Sequence, residues 1–167
     1  METVQDLLSQ LSALTYPGAA QIEAVIQKPA VGVHVRVTRA VAEAGLGLVG
    51  DHRQKDWWKG ARIPEREITM VSAEVLSVFG AALETPGDNL VVSGVDLRGI
   101  RPGQMVRVGS EVVLRRAVKD HRPCHLFARR ISPEAREAVS QGGFRGALFA
   151  VLKGGAIQVG DTVHIES

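Results

Sequence analysis

The sequence predicts a mainly β protein: a closed or strongly curved β-barrel with about three short helices. Three observations point there. Short runs rich in Val, Ile and Leu are separated by turn residues, drawn from 18 glycines and 7 prolines. In "VGVHVRVTRA", Val33, Val35 and Val37 alternate with polar residues, the period of a half-buried strand. And "VRVGSEVVL" (106–114) aligns without a gap to "IQVGDTVHI" (157–165), each reading as strand, glycine, strand. Glycine permits a turn or sharp bend that residues with a Cβ resist, so two such units suggest a sheet that curls back on itself.

Taken in order, Val4, Leu7, Leu8, Leu11 and Leu14 fall at helical spacing and predict an amphipathic helix over 2–14, ended by "YPG". "QIEAVIQ" and "VGVHVRVTRA" read as strands and "GLGLVGD" as a glycine-rich turn. "DHRQKDWWKGARIPERE" has no period and reads as a long loop. "EITMV" is a strand leading into "SAEVLSVFG", a short helix with Ser72 as N-cap and Gly80 at its end. "TPGD" turns the chain into the strand "NLVVSGVDL". After the first strand–glycine–strand unit, "SPEAREAVSQGG" predicts a helix, with Ser132 capping, Pro133 at its first position and glycines at its close. "RGALFAVLKGG" is a further strand.

The chain of 167 residues is long enough for a real core. It divides into an N-terminal helical extension, 1–20, and a barrel domain, 21–167. A net charge of +2 argues against nucleic acid or an anionic membrane as partner. A single cysteine excludes an internal disulfide and fits a reducing compartment. The opening "METVQDLLSQLSAL" carries two acids and no base, unlike a secretory signal. No apolar run approaches the roughly 20 residues of a membrane span. The expected location is the cytoplasm.

The chemistry gathers in "KDHRPCHLF" (119–127), around the lone Cys124. Thiolate, not thiol, is the nucleophile and metal ligand, and neighbouring cations favour it. Lys119, His121, Arg122 and His125 are the candidate cations, and Pro123 suits a stiff turn at a strand end. On these residues alone two readings stand: a reactive thiol at the rim of the sheet, or an inert small hydrophobe among charges. A zinc site from His121, Cys124 and His125 lacks a fourth ligand, and on a strand His125 points away from Cys124. A Cys–His hydrolase needs a base that the fold must place. His34, His52 and His164 read as strand or loop residues, and "GLVGD" and "PGDN" as turns without phosphate-loop spacing.

Several pieces also agree in order: "GLGLVGD", "REITMVSAEVL", "PGDNLVVSGVDL", "PGQMVRVGSEVVL", "RPCHLF" and "RGALFAVLKGGAIQVGDTVHI". Over roughly 21–165 this set resembles the MOSC domain, named for the C-terminal part of molybdenum cofactor sulfurases. The resemblance implies a β-barrel, with Cys124 at the family's functional cysteine position as catalytic residue and metal ligand. It implies a molybdenum–pterin cofactor and a small oxidoreductase, with an N-hydroxylated compound as candidate substrate. The alternative is a persulfide sulfur carrier served by a cysteine desulfurase. No pyridoxal-phosphate domain fits in this chain. Asp51 matches the aspartate of the family's Gly-Asp turn, Arg66 the arginine before the "ITM" strand, and Asn89 the asparagine of "PGDN". With His121, Arg122 and His125 they form the expected cofactor-binding set. An electron-transfer protein is a further implied partner. Two features depart from the pattern: Trp57 and Trp58 after the Gly-Asp turn, and the want of an arginine just before Asn89. A third reading, with no chemistry, is a binding module with Cys124 buried.

Overall fold

The computed structural model describes residues 1–53 and 57–167, the side chains of Trp58 and Arg62 apart. Helix α1 (Val4–Ser12) opens the chain. Thr3 Oγ1 accepts from the Asp6 amide at 3.1 Å and Asp6 Oδ2 accepts from the Thr3 amide at 2.9 Å, a reciprocal cap the periodicity alone did not reveal. Leu7 and Leu11 are buried against Ala135, Val139 and Phe144, so this extension packs onto the helical side of the domain.

Strand β1 (Gln21–Gln27) forms as expected. The following expected strand, 31–40, breaks in two. Only Val35–Val37 (β2) pairs with β1, and Arg39–Glu43 (β3) belongs to another sheet. Alternation shows that a segment is extended, but not which neighbour takes each half. Gly47–Leu48 (β4) then pairs with β3, so part of the expected glycine turn is strand. In the expected long loop, Trp57–Trp58 (β5) pairs with Ala61–Arg62 (β6), while 54–56 lie outside the described residues.

The centre of the fold is a crossover. Strand β7 (Ile68–Ser72) leads into α2 (Ala73–Val78) and returns as β8 (Leu90–Ser93), parallel to β7. All five β7 residues are buried, as suits a strand covered on both faces. Strands β9 (Met105–Val108) and β10 (Val112–Arg116) form a hairpin. After α3 (His125–Arg130) and α4 (Pro133–Gly142) the chain adds β11 (Ala147–Lys153), β12 (Gly155–Gln158) and β13 (Val163–Ile165). There are thus four α-helices among the described residues, the extra one being α3, for which the sequence carries no helix signal. Its six residues are too few to display a helical period.

Among the described residues an eight-stranded sheet runs β13-β9-β10-β11-β7-β8-β1-β2, beside a three-stranded sheet β12-β3-β4. The large sheet curls until its ends meet. The Ile22 amide donates to Asp161 O (2.9 Å), Gly160 N to Ile22 O (2.8 Å) and Val163 N to Ala20 O (2.9 Å). Ile22, Leu90, Leu114, Phe149 and Ile157 fill the interior.

The two aligned units are therefore not equivalent. The first is a hairpin. The second is a corner, whose β12 pairs with β3 and whose β13 pairs with β9. Their glycines share a reason nonetheless. Gly109 (φ +62) and Gly160 (φ +90) sit at turns that touch, with Gly109 N donating to Thr162 O at 2.9 Å. A Cβ on Gly109 would lie 2.7 Å from Asp161 Oδ2. No helix among the described residues is long and apolar enough to cross a membrane.

Candidate functional site

The site is built on a buried amide. Asn89, fully out of water before β8, exchanges two hydrogen bonds with Thr69 of β7: Thr69 N to Asn89 Oδ1 (3.1 Å) and Asn89 N to Thr69 Oγ1 (3.2 Å). Asn89 Nδ2 donates to Asp51 Oδ2 at 2.8 Å, and Asp51 Oδ1 accepts from Lys28 N at 2.7 Å. Asp51 and Asn89 thus lock the turn at 50–52 to the end of β1. They support the neighbouring cavity from behind and do not line it.

That cavity, about 350 Å³, opens between 28–34, 86–87 and 121–130. Lys28, Arg66, Arg122, Arg130 and Arg145 line it, and no aspartate or glutamate among the described residues does. The lining is therefore one-signed and suited to an anion. His34, His52 and His121 share the wall. By sequence, His34 and His52 read as ordinary strand or loop residues. Nothing in their local sequence says that the 28–34 loop folds against 84–87. His34 Nδ1 meets Glu84 O at 2.9 Å, and its ring packs so tightly on Gly87 that a Cβ there would lie 2.6 Å away. Burial, with Arg130 nearby, holds the His34 pKa below its ordinary value.

Behind the cavity lies Asp88, its side chain wholly buried. Arg145 Nη1 donates to Asp88 Oδ2 at 2.6 Å, and His121 Nε2 stands 3.2 Å from Oδ1. Burial alone would raise the Asp88 carboxyl, but the Arg145 guanidinium and the His121 hydrogen bond prevail and hold it well below the usual carboxylate range. Burial first, then Arg145, pushes His121 down to about 4, against the pull of Asp88. Sequence reasoning missed both Asp88 and Arg145. "PGDN" reads as a turn, and Arg145, 57 residues from Asp88 along the chain, has no local mark.

Cys124 is exposed and stands at the N-cap of α3, where its side chain caps nothing. The segment before it is fixed at several points. Arg116, at the end of β10, donates to Ala117 O (2.7 Å) and to Asp120 Oδ1 (2.8 Å). Arg130 Nη1 donates to Pro86 O (3.1 Å), and the Arg145 guanidinium carbon lies 5.1 Å from the Phe127 ring centre. Arg66, His121, Arg122 and Cys124 of the expected set come together on the cavity wall. His125 does not: it is the exposed first residue of α3 and does not line the cavity. Lys119 is exposed and also off the wall. Trp57, half exposed in its short hairpin, does not line the cavity either. Among the described residues no three His, Cys, Asp or Glu side chains are grouped to hold a metal.

Comparison with curated protein sequences yields no match. Among solved structures, the YuaD protein of Bacillus subtilis is similar at a TM-score of 0.71 and 23% identity, covering 92% of this chain and 99% of that one. YiiM of Geobacillus stearothermophilus is similar at 0.64 and 17% identity, covering 89% of this chain and 75% of its own. For YiiM of Escherichia coli the values are 0.63, 17%, 88% and 70%. At these identities the likeness speaks for the fold. A sequence profile described as "MOSC domain" matches residues 56–164, well over half of the chain. The protein belongs to the MOSC domain family.

Proposed function

We propose that this MOSC protein binds a molybdenum–pterin cofactor with the Cys124 thiolate as metal ligand, and acts as a small oxidoreductase. One observation carries the reading: an exposed thiol shares a cavity with five cationic side chains, Lys28, Arg66, Arg122, Arg130 and Arg145, and with no carboxylate among the described residues. The donor set fits such a group. Among the described residues the cavity wall offers one sulfur, that of Cys124, so a metal held here needs further donors from its own organic ligand, and a pterin dithiolene has them. The arginines suit the phosphate that such a cofactor carries.

When bound, the cofactor would supply two-electron redox chemistry. The chain's own residues do the rest. Cys124, free of any capping duty, is available to the metal. Arg66 and Arg122, far apart in the sequence, attract and orient negative charge from one wall. Asp51 and Asn89 serve as the rigid backing of the wall. Production in a host that makes the cofactor, followed by molybdenum and pterin analysis, tests the proposal. Near-stoichiometric metal in the native protein and background metal in Cys124→Ala are expected. An empty native protein that also rejects added cofactor overturns the reading.

The exposure of Cys124 also favours a second reading, the persulfide carrier. Here the Cys124 thiolate attacks the outer sulfur of a desulfurase persulfide, takes that sulfur, and leaves the donor cysteine as thiolate. After incubation with a cysteine desulfurase and cysteine, a mass gain of one sulfur on Cys124 is expected. No gain removes this reading.

A further inference from the structure

His121 is held in one tautomer. Asp88 accepts hydrogen bonds on both oxygens, from Arg145 on Oδ2 and at 3.2 Å from His121 on Oδ1. An ionised carboxylate can only accept, so the proton on the His121 ring belongs to Nε2. A second ring proton is opposed from several sides. The side chain is only 6% exposed, Arg145 and Arg66 repel positive charge on it, and Arg122 is its chain neighbour. The charge of Asp88 is already met by Arg145. The imidazole is thus neutral near pH 7, in line with its lowered pKa. Nδ1 makes no hydrogen bond among the described residues, and the ring lines the cavity. The result is a lone pair on a wall whose charged groups are Lys28 and four arginines, shared with His34 and His52.

We propose that His121 Nδ1 is a specificity element: the cavity selects an oxyanion that keeps an O–H of its own. Arginines bond the bare oxygens of any oxyanion and discriminate little. An acceptor fixed among them adds a hydrogen bond for a hydroxylated anion and meets a bare one with lone pair against lone pair. A site built around a ligand O–H rejects the analogue lacking it strongly, because its own polar group is left unpaired. Inorganic phosphate keeps at least one O–H through neutral pH, and sulfate keeps none. The inference rests on the cationic lining of the cavity and not on metal ligation by Cys124; it concerns free oxyanions, since a phosphate monoester such as the cofactor's is mostly without an O–H at neutral pH and would be met by the arginines alone.

Calorimetric titration of the full chain with inorganic phosphate and with sulfate, at pH 8 where both carry about two negative charges, tests it. Phosphate is expected to bind at least roughly tenfold more tightly. In His121→Phe, which keeps a ring of similar bulk without the nitrogens, the two anions are expected to bind alike. Equal binding in the native protein overturns the inference while leaving the anion cavity intact. Binding of neither anion overturns both. Should His121→Phe fail to fold, nitrogen NMR of histidine-labelled native protein decides independently. A proton on Nε2 alone at pH 7, with Nδ1 shifting on phosphate addition and not on sulfate addition, supports the assignment. A proton on Nδ1 refutes it.

Discussion

Asp88 and Arg145 stand 2.6 Å apart with their side chains 0% and 9% exposed, an ion pair almost wholly removed from water. Such a pair adds little net stability over an apolar equivalent, but breaking one half leaves an uncompensated buried charge. Arg145→Met is therefore expected to cost about 3–5 kcal/mol in urea unfolding. Adding Asp88→Asn to that variant should recover a large part of the loss. Additive damage from the two changes would show that they do not act as a pair.

Stability should fall with falling pH through the window set by His121. Its folded pKa, about 4, lies below the ordinary histidine value, so the unfolded chain takes up a proton that the fold refuses. Stability from this group is complete above about pH 6.5 and declines by about 1.4 kcal/mol per pH unit toward pH 4. His34 is shifted in the same direction and steepens the decline. Urea midpoints measured at pH 7, 6 and 5 give the slope. His121→Gln should flatten it, and an unchanged slope would place the titration elsewhere.

Cys124→Ala should leave the fold almost untouched. The thiol is exposed and caps nothing, so a change within about 0.5 kcal/mol is expected. A thermal scan beside the metal analysis separates the two roles. Lost molybdenum with an unchanged melting curve marks a ligand, whereas a large drop in stability would mark a structural residue.

Gly146→Ala should be among the most damaging small changes. Gly146 has φ +120, and a Cβ there would lie 2.1 Å from the Met70 carbonyl oxygen, on backbone that cannot step aside. The cost should exceed about 2 kcal/mol. Wild-type stability in this variant would mean that β7 and β11 do not approach as described.

Local physics explains what the sequence disclosed. Alternating valines, capped helix starts and terminal glycines act over a few residues, and β1, α2 and α4 emerged where those signals stood. The family's motif order points to Arg66 and Cys124, and the run around the lone cysteine points to His121 and Arg122; all four line one wall. Signals that act at a distance stayed hidden. Val35 and Ala40 look like one strand until β1 claims the first half and β12 the second. The Asp88–Arg145 pair and the fold of His34 onto Gly87 join segments that carry no mark of each other. His125 enters the expected set as a cation close to Cys124, but it is the exposed first residue of α3 and off the cavity wall.

The seam between Ile22 and Asp161 has a consequence for biosynthesis. One lip of the cylinder is translated well before the other, because the two lie far apart along the chain. Closure must wait for β13, so a nascent chain that has made β1 and β8 keeps one margin unpaired until β13 follows. Contacts of such long sequence separation also slow folding. The exposed margin is a docking edge for any other extended chain, and the interval before closure is when this protein is most in need of a chaperone.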